Sequence, residues 1–121
     1  MKYLLLIYHD EEHWKELGES ERQQIYGEYG KLRERLRTSG QFLDGSQLQP
    51  TTTASSIRVR EGEELIIDGP FAETHEQLGG YFLIDTTTLD EAIAVAKRIP
   101  SARMGTIEVR PLVERATEAT A

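Results

Sequence analysis

The residues best suited to chemistry are few: Asp68, the histidines His9, His13 and His75, the arginines Arg58 and Arg60, and Tyr29. Asp68 ends the apolar run Leu65-Ile66-Ile67. A carboxylate in that position is partly desolvated, which suits acid or base work. The same residue opens Asp68-Gly69-Pro70, which is also turn chemistry, because Asp bonds backbone amides, Gly relaxes the dihedrals and Pro fixes the exit. Both readings stand. His9 follows an apolar strand and is the candidate base at its end, paired in the catalytic reading with Asp68. His9-Asp10-Glu11-Glu12-His13 has histidines at i and i+4, the spacing of a zinc helix, which requires both on one helical face. No helix start is signalled before Ser20, so this segment reads as a solvated acidic loop and no metal is expected. His75 and Tyr29 are candidate substrate-binding groups, each with a plain structural alternative. Glu73, His75 and Glu76 suit the first turn of a short helix after Pro70, and Tyr29 suits a core position with its hydroxyl satisfied at the edge.

The elements that must position these groups follow from periodicity. Residues 3–8 are almost unbroken apolar sequence, as in a strand covered on both faces. Ser20-Glu21-Arg22-Gln23 fits a capping box, Ile25, Tyr29, Leu32 and Leu36 form a helical stripe, and Gly40 supplies a stop. A short strand is expected within 41–48 and a loop from Pro50 to Ser55. Ile57-Arg58-Val59-Arg60 and Leu65-Ile66-Ile67-Asp68 flank Glu61-Gly62-Glu63 as a hairpin. A three-residue loop pairs Arg60 with Glu64, Val59 with Leu65 and Ile57 with Ile67, matching charge to charge and apolar to apolar. That register puts Arg58 and Arg60 on the face of Asp68, where they would hold an anionic substrate. Gly79-Gly80 opens the strand Tyr81-Phe82-Leu83-Ile84, and because a strand follows, the pair is no phosphate loop. Thr88-Leu89-Asp90-Glu91 caps a second helix with Leu89, Ala92, Ile93 and Ala96 on one face, ending before Pro100. Ile107 and Val109 mark a last strand.

The order β-α-β, inserted hairpin, β-α-β is the ferredoxin-like split βαβ pattern of an α+β fold with an antiparallel sheet. Its first and third main strands lie centrally, and here those are the two most apolar runs. Two helices cover one sheet face, so the other is expected to bury itself against a second copy as a homodimer. One domain is expected at 1–113, with a flexible tail at 114–121. The chain has no cysteine, which excludes disulfides, thiolate nucleophiles and Cys-ligated zinc and is compatible with a cytoplasmic location. A formal charge of -7 disfavours nucleic acid. The N-terminal apolar run is too short to span a bilayer. No serine sits in a nucleophile elbow, and no nucleotide, flavin or haem motif is visible, so no organic cofactor is expected.

Asp68-Gly69-Pro70-Phe71-Ala72-Glu73-Thr74-His75-Glu76-Gln77-Leu78-Gly79-Gly80-Tyr81 resembles the DGPF signature of the YCII-related family. Residues 1–8, the first hairpin strand and Glu108-Val109-Arg110-Pro111 extend the resemblance. It implies a dimeric α/β barrel of ferredoxin-like subunits with a cleft near the dimer interface lined by Asp68. It also implies an acid/base enzyme using a His–Asp pair, or an accessory or regulatory protein tied to a sigma-factor system. The family's histidine belongs on or near the first helix. Here no histidine lies between His13 and His75, so the pair does not carry over intact.

Overall fold

A computed structural model of the chain describes residues 1–114. The tail expected at 114–121 lies, apart from Glu114, outside the described residues. The chain runs β1 (Lys2–His9), α1 (Glu11–Glu16), α2 (Glu19–Thr38), β2 (Phe42–Gln47), β3 (Ser55–Arg60), β4 (Glu63–Asp68), β5 (Gln77–Asp85), α3 (Leu89–Arg98) and β6 (Thr106–Pro111). Short 3₁₀ turns occupy Thr51–Thr53 and Pro100–Arg103. Four strands form an antiparallel sheet in the order β2-β5-β1-β6, with the two most apolar strands central, as the split βαβ pattern requires. The hairpin β3-β4 is a separate two-stranded sheet.

Alternation along β1 divides the sheet into two faces. Tyr3, Leu5 and Ile7 point to the helical side, where they are buried with Phe82 and Ile84 of β5, Leu32 and Leu36 of α2, and Ala92, Val95 and Ile99 around α3. Leu4, Leu6, Tyr81 and Leu83 take the opposite face and are only half-buried. Leu89, expected on the buried stripe of α3, is exposed, and Val95 takes its place in the core. The cap of α3 forms as expected, with Thr88 Oγ1 accepting from the Glu91 amide at 3.2 Å. Gly40 adopts a positive φ of 77° just beyond α2, the left-handed stop that glycine supplies cheaply.

Several expectations fail for identifiable reasons. α2 starts at Glu19 with Gly18 as its cap, so Ser20 is a helical residue and makes no capping box. A six-residue helix, α1, exists before Ser20, because the Asp10 side chain accepts from the Glu12 amide at 3.0 Å. No helix follows Pro70. Instead Gln77 donates to the Thr74 carbonyl at 2.5 Å, and β5 begins at Gln77, ahead of the paired glycines.

The hairpin register also differs. Arg60 pairs with Glu63, Val59 with Glu64, Arg58 with Leu65 and Ser55 with Asp68, across a two-residue turn. Both turn residues have positive φ, 52° at Glu61 and 80° at Gly62, which is the type I′ pattern whose twist suits a hairpin. A one-residue difference in register moves every side chain to the other face. Arg58 and Arg60 therefore lie on the face opposite Asp68, which removes the reason for grouping them.

Candidate functional site

His9 lies in the alternation of Tyr3, Leu5 and Ile7, so β1 delivers it to the helical side at the open end of the sheet. Opposite it, the β1–β5 register shifts between Ile7–Gly80 and Tyr8–Leu78, leaving Gly79 unpaired as a bulge. A Cβ on Gly79 would lie 2.6 Å from His9 Nε2, so the imidazole rests directly against the glycine backbone. Gly80 is equally constrained, since a Cβ there would meet the Ser46 carbonyl oxygen of β2 at 2.9 Å. The two glycines thus bring β2 close and make room for the histidine.

The other side of the ring is aromatic. His9 stacks on Trp14 of α1 with ring centres 5.9 Å apart, and Trp14 meets Tyr26 of α2 edge-on at 5.6 Å. α1 buries no residue of its own and is held by polar links. The Glu11 carboxylate accepts from the Thr51 amide at 2.9 Å and its hydroxyl at 2.6 Å, and the Glu11 amide donates to Gln77 Oε1 at 3.0 Å. These links to the 3₁₀ turn at Thr51–Thr53 and to β5 fix Trp14 over the histidine.

Together these groups border a cleft of about 330 Å³. Its floor is Ile7, Gly79, Gly80 and Phe82. The helices contribute Trp14, Tyr26, Tyr29 and Arg33, and the rim holds Ser46, Gln47 and Ser101. Tyr29 packs edge-on against Phe82 at 6.1 Å, and its hydroxyl shares a 2.6 Å hydrogen bond with the buried Ser101 Oγ. The expected satisfied edge position of Tyr29 is therefore realised, and it lies on the cleft wall.

Electrostatics separates the two titratable groups. Burial lowers the His9 pKa from its ordinary 6.5, with Glu11, Asp10 and Glu76 pulling the other way. The imidazole is thus neutral at pH 7 and able to accept a proton. Burial raises the Tyr29 pKa, opposed by its bond to Ser101 and by the charges of Arg33 and Arg103, so the phenol stays protonated and can donate.

The sequence-predicted residues divide sharply. His9 and Tyr29 meet at this cleft. Asp68, Arg58 and Arg60 are exposed on the hairpin and line none of it. The turn role of Asp68's surroundings is visible, with the Gly69 amide donating to the Ala54 carbonyl at 2.6 Å and Ser56 Oγ to the Gly69 carbonyl at 2.8 Å. The His75 side chain is 90% exposed, and its Nε2 lies 3.8 Å from the Asp10 carboxylate. Among the described residues no cluster of three or more His, Asp or Glu could hold a metal. No described helix is long and apolar enough to cross a membrane.

Sequence reasoning missed Trp14, Arg33 and Gly79. Arg33 falls four residues after Tyr29 and seven after Tyr26, a helical spacing that puts all three on one side. Paired glycines inside an apolar strand signal a bulge or a close approach. Trp14 depended on recognising α1.

The YCII-related domain model matches residues 1–116. An uncharacterized protein of Rhizobium meliloti (strain 1021) is 37% identical over 114 residues, or 93% of this chain and 92% of that one.

Proposed function

This chain belongs to the YCII-related family, and from that premise we propose that it is a small-molecule enzyme of the DGPF branch, with His9 as proton acceptor in the Trp14–Tyr29 cleft. The observation that carries this reading is the seat of His9, wedged between the Gly79 backbone and the Trp14 ring with its pKa lowered by burial. A neutral imidazole held in one orientation is what general base catalysis needs. Tyr29 supplies a protonated hydroxyl on the same wall.

Two measurements test the site. The chain has a single tryptophan, Trp14, so its emission reports cleft occupancy directly. Small molecules that enter should change that emission and shift the His9 titration seen by NMR, whose midpoint should lie below the ordinary 6.5. A His9 that titrates at or above 6.5, beside a tryptophan indifferent to a broad small-molecule screen, would overturn the reading.

The active form in this reading is a cytoplasmic homodimer with no nucleic-acid partner. Leu4, Leu6, Tyr81 and Leu83 are left half-buried on the sheet face without helices, which supports burial against a second copy. Light scattering should report a dimer at micromolar concentration, and Leu6→Lys should dissociate it; a wild-type monomer would end the dimer proposal. Asp68 lines no part of the cleft of its own chain. Asp68→Asn decides its assignment. An unchanged ligand response assigns it to the turn, and a lost response with the fold intact assigns it to a site assembled across the dimer.

A second reading, as an accessory or regulatory protein such as the sigma-factor association would require, is favoured by one observation. The hairpin exposes Ile57, Val59, Leu65, Ile66 and Ile67 together, each at least 42% accessible. If this reading holds, Ile57→Lys with Ile66→Lys should abolish a cellular interaction while leaving Trp14 emission and the dimer unchanged.

A further inference from the structure

The cleft is segregated in charge from the rest of the molecule. The chain carries 21 acidic residues against 14 lysines and arginines, yet among the described residues no Asp or Glu lines the cleft and Arg33 is its one arginine. Three arginines outside the cleft are occupied. Arg103 binds Glu28 at 2.6 Å, Arg110 binds Glu108 at 3.1 Å, and Arg37 lies 5.0 Å over the Phe42 ring. Arg33, only partly exposed, has no carboxylate within 4.0 Å among the described residues. A guanidinium left unpaired on a concave wall, in a protein this acidic, can take an anion from outside. Its planar fork of donors matches a carboxylate through two parallel hydrogen bonds.

The remaining lining has the opposite character. Trp14 is half-buried on a helix that contributes nothing to the core, and its ring continues a series of aromatic surfaces from His9 to Tyr26. A flat apolar wall of this kind binds a flat ring. The volume of about 330 Å³ sits at the low end for small-molecule sites, room for one ring with a short substituent and too little for a dinucleotide.

We propose that the cleft takes a monocyclic aromatic carboxylate, its carboxylate held by Arg33 and its ring stacked on the Trp14 wall beside His9. This rests on the small-molecule reading of the same cleft and adds the class of ligand. It also assigns Arg33, which has no ion-pair partner among the described residues, as the binding residue that sets charge selectivity.

The test uses the full-length wild-type protein, with Trp14 emission as the readout and three probes. Benzoate has ring and charge, benzamide keeps the ring without the charge, and propionate keeps the charge without the ring. Benzoate should alter the emission saturably, with the other two at least about tenfold weaker, since leaving a charge-assisted pair unmade is costly. Arg33→Gln should weaken benzoate by about tenfold or more and leave benzamide unchanged. Should that variant fail to fold, Arg33→Lys, which keeps the charge without the fork, should show a smaller loss of the same kind. Equal binding of benzoate and benzamide, or an Arg33→Gln variant with unchanged benzoate affinity, would overturn the carboxylate anchor. Propionate binding as well as benzoate would overturn the ring. If none of the three acts while other small molecules do, the ligand class is wrong and the cleft reading survives. If no small molecule acts, both fail.

Discussion

The four-stranded body and the β3-β4 hairpin are built from similar apolar runs, and they obey different rules. In the body, β1 places Tyr3, Leu5 and Ile7 against two helices, and each is at most 6% accessible. Burial on one face specifies register there, because a one-residue slip would expose the whole set. In the hairpin, Ile57, Ile66 and Leu65 are each more than half accessible, and Val59 faces Glu64 across the ladder. With water on both faces, matched cross-strand pairs contribute only about 0.2–1 kcal/mol each. The tight turn at Glu61-Gly62 then decides the register. Side-chain matching thus predicts pairing where side chains are buried, and turn geometry predicts it where they are not.

Substitution can break this contrast directly. Leu5→Ala in the body should cost about 2–5 kcal/mol of unfolding free energy, and Ile66→Ala in the hairpin less than about 0.5 kcal/mol. Chemical denaturation of both variants checks the pair. Similar costs at the two positions would mean that the hairpin is buried in an assembly. Within the body, Gly79→Ala should cost about 1–3 kcal/mol, because the new Cβ meets the His9 ring at 2.6 Å and the ring has Trp14 behind it. A shift in tryptophan emission should accompany that loss, which a general destabilisation of the folded state would not produce in native buffer.

The hairpin offers a smaller effect of opposite sign. Glu61 holds a positive φ of 52° without being glycine, whereas a type I′ turn prefers Asn or Gly at that place. Glu61→Asn should relieve part of this strain, stabilising the hairpin by about 0.5–1 kcal/mol. Slower amide exchange across β3 and β4, with no change in the body, is the expected sign. Faster exchange would contradict the turn assignment.

The smallest effect concerns pH. The folded pKa of His9 lies below its unfolded value of 6.5, so its contribution to stability is complete above 6.5 and is lost as pH falls through the folded pKa. Between pH 7 and 5 the wild type should therefore lose more thermal stability than His9→Gln. Parallel losses would show that the histidine is not desolvated.

The sequence made the body legible and left the cleft half-hidden. Central strands, the apolar stripe of α2, the cap of α3 and the strand order all follow from periodicity and caps, because burial enforces them. His9 and Tyr29 were readable for the same reason, since one ends a buried strand and the other lies on a buried stripe. Arg33 and Trp14 escaped because nothing in a polar or exposed position marks which groups converge in space. α1 is held by Asp10, Glu11, Thr51 and Gln77, polar contacts spread over tens of residues that no local pattern encodes. The expected grouping of Asp68 with Arg58 and Arg60 depended on a register that solvent-exposed side chains do not control.

The bulge at Gly79 has a consequence for how the protein tolerates changes of length. A single-residue deletion inside a central strand ordinarily throws one flank out of phase with its neighbour and is lethal to a sheet. Here β1 already pairs Ile7 with Gly80 and Tyr8 with Leu78, skipping Gly79. Removing that one residue would let β5 close up with each of these pairings intact, taking away the kink beside His9 and leaving the β1–β5 ladder whole, at the loss of the 2.8 Å bond that the Leu48 amide donates to the Gly79 carbonyl. Such a deletion variant should fold with altered Trp14 emission, and its failure to fold would show that the bulge serves the sheet as well as the cleft. Fold and cleft would then be separable at a single codon, a place where lineages of this protein could gain or lose a site by a change of length alone.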